Sequence, residues 1–220
     1  MRKVILVNNE IYHVFNRSIE EKPIFTNKRE CDRALLTLDF YRFSGISTGL
    51  AQLLKLELEK RNFFLSQLKT KGKKLVEIIS FCLMPNHYHL LLKQIQENGI
   101  KEFLSNFSNS YTRYFNTKHT RIGPLFQGYF KSVRIEDTEQ LIHVCRYIHI
   151  NPVVSAFIGE NELVEYPYSS FVEYLGKKDG FCDKGVILDY FSSIEKLKNF
   201  TFDRVDYGKK LERIKHLIHE

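Results

Sequence analysis

The stretch Met84-Pro85-Asn86-His87-Tyr88-His89-Leu90-Leu91-Leu92 decides the fold of this chain. It follows the apolar run 76–83, and its Pro-Asn pair is typical of a turn, so the sequence predicts two strands joined by a short turn. Side chains alternate between the faces of a strand, so His87 and His89 share one face and Tyr88 lies on the other. Because apolar residues follow on both faces, we expect a strand that is buried on both sides.

Two imidazoles side by side on a rigid strand form a candidate metal site. They can hold one divalent cation and leave coordination positions open for a phosphate oxygen. Histidine pairs also occur on strands as polar residues of a solvated face, and spacing alone leaves this alternative open. The buried surroundings favour a metal, since polar groups without partners are costly there.

The composition is that of a basic, folded protein. Its 220 residues suffice for one domain with a sizeable core, and a hydrophobic content of 43% argues against disorder. The formal net charge of +7 favours a polyanionic partner, most often nucleic acid. No run is long enough to span a membrane and the first residues do not resemble a signal peptide, so we expect a cytoplasmic protein without a membrane partner. The four cysteines form no C-x-x-C pair and are predicted to be reduced thiols without zinc: Cys31, Cys82, Cys145 and Cys182.

Local periodicity predicts alternating strands and helices along the rest of the chain. In helix 100–118, Tyr111 and Tyr114 belong to an apolar stripe. Tyrosines in such a stripe are more often core residues than nucleophiles. The predicted strands outside the central pair are 11–17 and 125–135, and the predicted helices are 28–43, 50–68, 100–118, 137–151, 186–199 and 209–219.

The helix that begins at Asp137 is the second informative element. Asp137 and Gln140 have the spacing of a capping box. Tyr147 and Asn151 are four residues apart, away from the main apolar stripe, and Pro152 is expected to end the helix and push Asn151 out of helical geometry. Spacing alone leaves Tyr147 as either a half-buried residue at the helix–sheet boundary or a reactive group one turn from an amide.

Together these residues suggest phosphoryl chemistry on DNA. A metal held by the two histidines polarises a phosphate, and a tyrosine that attacks phosphorus forms a phosphotyrosine bond. The covalent bond conserves the energy of the phosphodiester, so the strand can be rejoined without ATP. The Asn151 amide is suited to complete the metal shell and to bring Tyr147 near the metal.

Two motifs resemble those of a known family. Residues Pro85-Asn86-His87-Tyr88-His89-Leu90-Leu91 resemble the His-hydrophobic-His motif of single-tyrosine transposases. Residues Arg146-Tyr147-Ile148-His149-Ile150-Asn151-Pro152-Val153 resemble the Tyr-Ile-x-x-Asn-Pro signature of their REP-associated branch. The resemblance covers about residues 10–175, with three supporting pieces: Tyr12-His13-Val14 with Arg17, Gly123-Pro124-Leu125-Phe126-Gln127 with Lys131-Ser132, and Tyr168-Ser169-Ser170.

The resemblance implies an α+β, ferredoxin-like fold with an antiparallel central sheet and helices on one face. We expect this transposase domain to occupy residues 1–175, with 44–74 as a helical insertion. Residues 176–220 are expected to form a C-terminal helical extension.

The resemblance also implies an activity and its residues. The protein would be a metal-dependent single-stranded DNA transposase and endonuclease that cleaves and rejoins DNA near REP-like hairpins. Tyr147 would be the nucleophile, and His87, His89 and Asn151 would bind Mg²⁺ or Mn²⁺. The product would be a 5′-phosphotyrosine with a free 3′ hydroxyl, formed by a monomer or a homodimer.

Basic residues are candidates for phosphate contacts, which make binding salt-dependent. Lys131 and Arg134 differ in parity and therefore face opposite sides of a regular strand. The chain departs from the family pattern at Ser18, where relatives often have glycine, and at Tyr129, where many have arginine. The candidates for DNA binding are Arg17, Arg113, Lys118, Arg121, Lys131 and Arg134.

Two other functions are compatible with the same residues. One is a DNA-hairpin binding protein with little or no catalysis. The other is a metal-dependent hydrolase that uses water and forms no protein–DNA adduct.

Overall fold

The computed structural model describes residues 5–206 and 208–209. Its strands are β1 (Ile11–Arg17), β2 (Val76–Met84), β3 (His87–Gln94) and β4 (Lys131–Arg134). Its helices are α1 (Lys28–Tyr41), α2 (Leu50–Leu53), α3 (Leu58–Lys71), α4 (Gly99–Lys118), α5 (Thr138–Val154), α6 (Phe171–Tyr174), α7 (Gly185–Leu188) and α8 (Ile194–Phe202), with short 3₁₀ turns at Ile19–Glu21 and Glu160–Glu165.

The four strands form one antiparallel sheet in the order β2-β3-β1-β4. The chain order β1-α1-β2-β3-α4-β4 with this strand order is the ferredoxin-like arrangement. The expected α+β fold is therefore confirmed. The predicted turn at Pro85-Asn86 joins β2 to β3, and the Ser18 amide donates to the Asn86 carbonyl over 2.7 Å.

Helices cover both faces of the sheet. On one face, α1 and α4 bury Tyr12, Tyr88 and Leu90 in the main core. On the other face, α5 packs against β2 and β3 and buries Cys82 and Leu91. This differs from the expectation of helices on one face only. The reason is that β2 and β3 are apolar on both sides, so the second face also needs a cover.

Two element boundaries differ from the sequence prediction. The predicted strand 125–135 pairs as a strand only over β4, because Gly128 has a φ of +40°, which an extended strand does not allow.

Helix α5 continues through Asn151 and Pro152, and the Asn151 carbonyl accepts the Ser155 amide over 3.0 Å. Pro152 lacks the amide that would donate within the helix, but the residues of this last turn are buried, and their packing keeps it helical.

The predicted helices at 50–68 and 186–199 are each broken into two. The first becomes α2 and α3, and the second becomes α7 and α8, where Ser193 caps α8 by accepting the Lys196 amide over 3.2 Å. The predicted helix 209–219 lies outside the described residues except for Lys209. In the part of the chain that is described, no helix combines the length and the apolar character needed to cross a bilayer.

Residues on either side of the predicted domain limits pack onto the core. In 44–74, Leu50 and Leu53 of α2 pack with Phe40 of α1, while none of the 14 residues of α3 is fully buried. Beyond residue 176, Phe181 stacks on Phe81 with 5.2 Å between ring centroids. Leu197 of α8 is buried in the cluster that includes α5. The limits at 44–74 and 176–220 stay predictions.

A buried carboxylate joins α1 to the end of α4. Glu30 is fully buried and accepts from Lys118 at 2.7 Å, from Thr26 Oγ1 at 2.5 Å and from the His119 ring at 2.8 Å. Burial alone would raise the pKa of Glu30, but the hydrogen bonds from Lys118 and Thr26 outweigh it and hold the pKa at about 2. The ionised carboxylate therefore stabilises the folded state at neutral pH.

Replacing this carboxylate should show a defined pH dependence. Glu30→Gln should lower the free energy of unfolding by about 2 kcal/mol at pH 7, because it leaves Lys118 without its buried anion. The folded pKa lies below the ordinary value of 4.5, so the contribution is complete above that value and is lost as pH falls towards 2. Urea unfolding from pH 7 to pH 3 measures this, with the exposed Glu97→Gln as control. A difference between wild type and variant that stays constant down to pH 3 would contradict the assignment.

Candidate active site

The strand pairing places the two histidines on the face of the sheet that α5 covers. Phe15 of β1 lies opposite His89, and Arg17 lies opposite His87. His89 is 6% exposed and His87 is partly exposed, and their rings are 5.1 Å apart at an angle of 86°. Tyr88 points the other way and is buried against Phe107 and Phe126 of the main core, as the strand alternation predicted.

Helix α5 brings Tyr147 to these histidines. Its buried residues Cys145 and Ile148 pack on the sheet and set the rotation of the helix. Tyr147, on the adjoining face, is 36% exposed, and its ring lies edge-on to the His89 ring with 5.5 Å between centroids. Residues almost 60 positions apart in the chain therefore meet within one chain at one site.

Asn151 lies one helical turn after Tyr147 and has the properties of a ligand. Its side chain is 6% exposed, and its Oδ1 atom has no hydrogen-bond partner among the residues that the structure describes. Leaving a buried acceptor unpaired costs about 1–3 kcal/mol. An amide oxygen is also a ligand that hard cations such as Mg²⁺ accept. An unpaired amide oxygen one helical turn after Tyr147 is therefore chemically suited to the predicted role of Asn151 as a ligand beside His87 and His89.

This donor set is not a conventional cluster. Within residues 5–206 and 208–209, no group of three or more His, Cys, Asp and Glu side chains is arranged to hold a metal. The four cysteines are free thiols, and burial raises the pKa of Cys31 and Cys145 to about 12. They therefore remain protonated and are poor ligands.

The structure adds His13, which the sequence analysis named only within a supporting motif and not as a site residue. His13 Nε2 lies 3.0 Å from His89 Nδ1, and its ring is 5.9 Å from that of Tyr147. Burial lowers the pKa of His13 to about 4, so its ring is neutral at neutral pH. The signal that would have found it is the pairing of β1 with β3, which local sequence patterns do not reveal.

Of the six basic candidates, the structure brings two to the face of the histidines. Lys131 lies opposite Phe15, and Arg17, which pairs with Glu21 at 2.5 Å, lies opposite His87. Arg134 lies opposite Tyr12, whose side chain belongs to the other face, and its guanidinium pairs with Glu10 at 3.0 Å. The difference in parity between Lys131 and Arg134 is thus confirmed.

The remaining three candidates lie in or just after α4, which covers the opposite face. Lys118 is engaged by Glu30. Arg121 donates to Asn116 Oδ1 at 2.8 Å and to the Pro124 carbonyl at 2.7 Å, and so holds the loop after α4. Arg113 is exposed.

Comparisons with known proteins indicate a family for part of the chain and a fold for most of it. Residues 52–151 match the family model described as "Transposase IS200 like", and this range contains the histidine pair, Tyr147 and Asn151. Over this region, which is just under half of the chain, the protein resembles the IS200-like transposases. The family resemblance expected from the two motifs is confirmed, and the matched region ends at Asn151 itself.

A solved structure shows that the transposase fold extends beyond this range. It is described as a REP-associated tyrosine transposase bound to a REP hairpin, and it matches with a TM-score of 0.51 at 14% identity. The match covers 80% of this chain and 86% of that one, so the two share their fold over most of their length. None of the curated proteins compared with this chain matches it significantly.

Removing the orphaned oxygen of Asn151 should not destabilise the metal-free protein. In EDTA, Asn151→Leu should unfold with a free energy equal to that of wild type or about 1 kcal/mol higher, because leucine has a similar size and no unpaired acceptor. The stabilisation that Mn²⁺ gives to wild type should be lost in this variant. Urea unfolding with EDTA and with Mn²⁺ measures both effects.

Asn116→Leu is the matched control, since Asn116 is also helical and its amide has partners in Arg121 and Gly123. It should cost about 1–2 kcal/mol in EDTA. An equal decrease in the free energy of unfolding for both variants would show that the Asn151 oxygen has a hydrogen-bond partner within the protein.

Proposed function

We propose that this transposase cleaves and rejoins single-stranded DNA near REP-like hairpins through a covalent 5′-phosphotyrosine. The observation that carries the proposal is the contact of the Tyr147 ring with the His89 ring, one turn from the orphaned oxygen of Asn151. A phenol, two imidazoles and an amide oxygen are the groups that metal-assisted attack on a phosphate needs.

Each side chain has a role in this chemistry. His87, His89 and Asn151 would hold Mg²⁺ or Mn²⁺, which supplies Lewis-acid polarisation of the scissile phosphate. The Tyr147 hydroxyl oxygen bonds to phosphorus, and the bond from phosphorus to the 3′ oxygen breaks. That oxygen takes up a proton and becomes the 3′ hydroxyl, while the phenol proton passes to solvent. Attack by a 3′ hydroxyl on the phosphotyrosine reverses these steps and joins the strand.

The proposed active unit is a monomer in the cytoplasm. Tyr147 and the histidines come from one chain, and the helix that carries Tyr147 is held against its own sheet. Arg146 strengthens this attachment, since its guanidinium carbon lies 4.2 Å from the centre of the Phe200 ring of α8 and its Nη1 donates to the Phe200 carbonyl at 3.3 Å. The free thiols suit a reducing compartment.

A hairpin in single-stranded DNA is the proposed substrate. The structural relative is described as bound to a REP hairpin, and the chain carries a formal net charge of +7. Arg17 and Lys131 place positive charge on the face where the phosphate must lie. Single-stranded DNA bound there would have its backbone close to Tyr147.

The covalent step can be tested on a denaturing gel. With Mn²⁺ and a hairpin-bearing single strand from the flanks of the gene, 3′-labelled DNA should give an SDS-resistant protein adduct. The 5′-labelled strand should give a shortened free product that a polymerase extends. Tyr147→Phe should abolish both products, and His87→Ala should reduce them by at least about 100-fold.

Tyr114→Phe is the matched control, because the Tyr114 hydroxyl is buried without a partner among the described residues. This variant should form the adduct normally. An adduct that persists in Tyr147→Phe would show that another residue is the nucleophile. Cleavage without an adduct in the wild-type protein would indicate hydrolysis by water. Binding without cleavage would indicate a hairpin-binding protein.

The path of the DNA can be tested by the salt dependence of binding. Lys131→Gln and Arg17→Gln should each lower the slope of log affinity against log salt concentration by about 0.7, because each removes one phosphate contact to a single strand. Arg113→Gln, on the opposite face, should leave the slope unchanged. A lower slope for Arg113→Gln alone would place the DNA over α4.

A further inference from the structure

The two most exposed large apolar side chains in the described part of the chain belong to one connection, residues 119–130 between α4 and β4. Ile122 is 95% exposed and Tyr129 is 94% exposed. The residue after Tyr129 is Phe130, which is partly buried and packs against the main core. Single exposed apolar residues are common on protein surfaces, so the backbone that presents Tyr129 decides what this exposure means.

Tyr129 lies in an irregular part of the pairing between β1 and the chain before β4. Lys131 lies opposite Phe15, whereas the Gln127 amide donates to the Arg17 carbonyl over 2.8 Å. Gln127 and Lys131 are four positions apart, but their partners Arg17 and Phe15 are only two apart. Partners in a regular antiparallel pair are equally spaced in both strands, so this side carries two extra residues and forms a β-bulge.

The bulge is anchored on its far side by further pairing. Ser18 forms a bridge with Phe126, and the Ile19 amide donates to the Leu125 carbonyl over 3.0 Å. Leu125 and Phe126 are both buried in the main core. The chain is therefore fixed before and after the bulge, and this geometry directs the Tyr129 ring into solvent at a defined place.

The bulge is next to the histidine face of the sheet. Arg17, which pairs with the start of the bulge, lies on its other side opposite His87. Neighbouring strands are about 4.8 Å apart, so the bulge backbone is about 10 Å from the backbone of His87. Lys131, at the end of the bulge, is exposed on the histidine face. The Tyr129 ring is therefore flanked by two exposed cations near the proposed phosphate site.

We propose that Tyr129 stacks on a base of single-stranded DNA, while Lys131 and Arg17 bind the adjoining phosphates. The planar face of a tyrosine ring packs against any base, so this contact adds affinity without selecting a sequence. The charge of the surroundings favours DNA over a second copy of the chain, because each copy has a formal net charge of +7. The proposal rests on the proposed substrate and deepens it by naming a residue that binds bases.

A tryptophan at this position reports the stack directly, because the chain contains no tryptophan. Tyr129→Trp keeps an aromatic ring, and a base that stacks on the indole quenches its fluorescence. The probe is a hairpin-bearing single strand from the flanks of the gene, titrated in EDTA. Tyr129→Trp should lose fluorescence as the strand binds, whereas Tyr190→Trp, at an exposed tyrosine outside the connection, should not.

Affinity separates the ring from the cations. Tyr129→Ala should weaken binding of the same strand by about 10-fold or more, whereas Tyr129→Phe should stay within about 3-fold of wild type because it keeps the ring. The slope of log affinity against log salt concentration should stay unchanged in both variants, since neither removes a charge. Tyr190→Ala is the matched control and should bind as wild type does. Thermal unfolding without DNA should be the same for all four proteins, because the replaced rings are exposed.

The outcomes separate this proposal from the proposed function. Equal DNA affinity of wild type and Tyr129→Ala, or equal quenching of the two tryptophans, would overturn the stacking role. A change in the sedimentation of DNA-free Tyr129→Ala without a loss of DNA affinity would also overturn it and would assign the ring to a contact between copies. Binding in EDTA does not require cleavage, so absence of the adduct in wild type would overturn the proposed chemistry, while quenching and affinity would still decide the stack.

Discussion

The packing of α5 on the second face of the β2–β3 hairpin is the contact on which the site depends. Without it, Tyr147 and the histidines would belong to separate parts of the chain. The contact is driven by burial of apolar side chains such as Cys145, Ile148 and Leu91, which are almost completely buried. A second attachment is polar, because His149 bonds Ser170 Oγ at 2.9 Å, and that oxygen accepts the Phe81 amide of β2 over 2.9 Å.

The buried polar side chains of α5 differ in whether they have hydrogen-bond partners. His149 is satisfied by Ser170, and burial lowers its pKa to about 3, so it is a neutral structural link between α5 and β2. Asn151 Oδ1 has no partner in the described part of the chain. Proteins keep unsatisfied polar groups at a cost in stability chiefly where function needs them. The contrast between two residues only two positions apart therefore supports the proposal that Asn151 is a ligand.

The sheet also determines on which face each basic side chain lies. Strand alternation puts Lys131 and Arg134 on opposite faces, and helix α4 takes its basic residues to the face away from the histidines. Several of these cations have structural partners, as Lys118 does in Glu30. A net positive charge thus indicates a polyanionic partner, but only the tertiary structure shows which cations lie on the same face as the histidines.

The sequence by itself determined the local features: the shared face of His87 and His89, the opposite face of Tyr88, the one-turn spacing of Tyr147 and Asn151, and the Asp137 cap of α5. These follow from periods of two and 3.6 residues, which are properties of short segments. The tertiary structure alone decided that β1 lies beside β3, which brings His13 to His89, and that α5 covers the histidine face. It also decided that α5 continues past Pro152. These features depend on the burial of apolar surface between segments far apart in the chain, and no local period records which faces will meet.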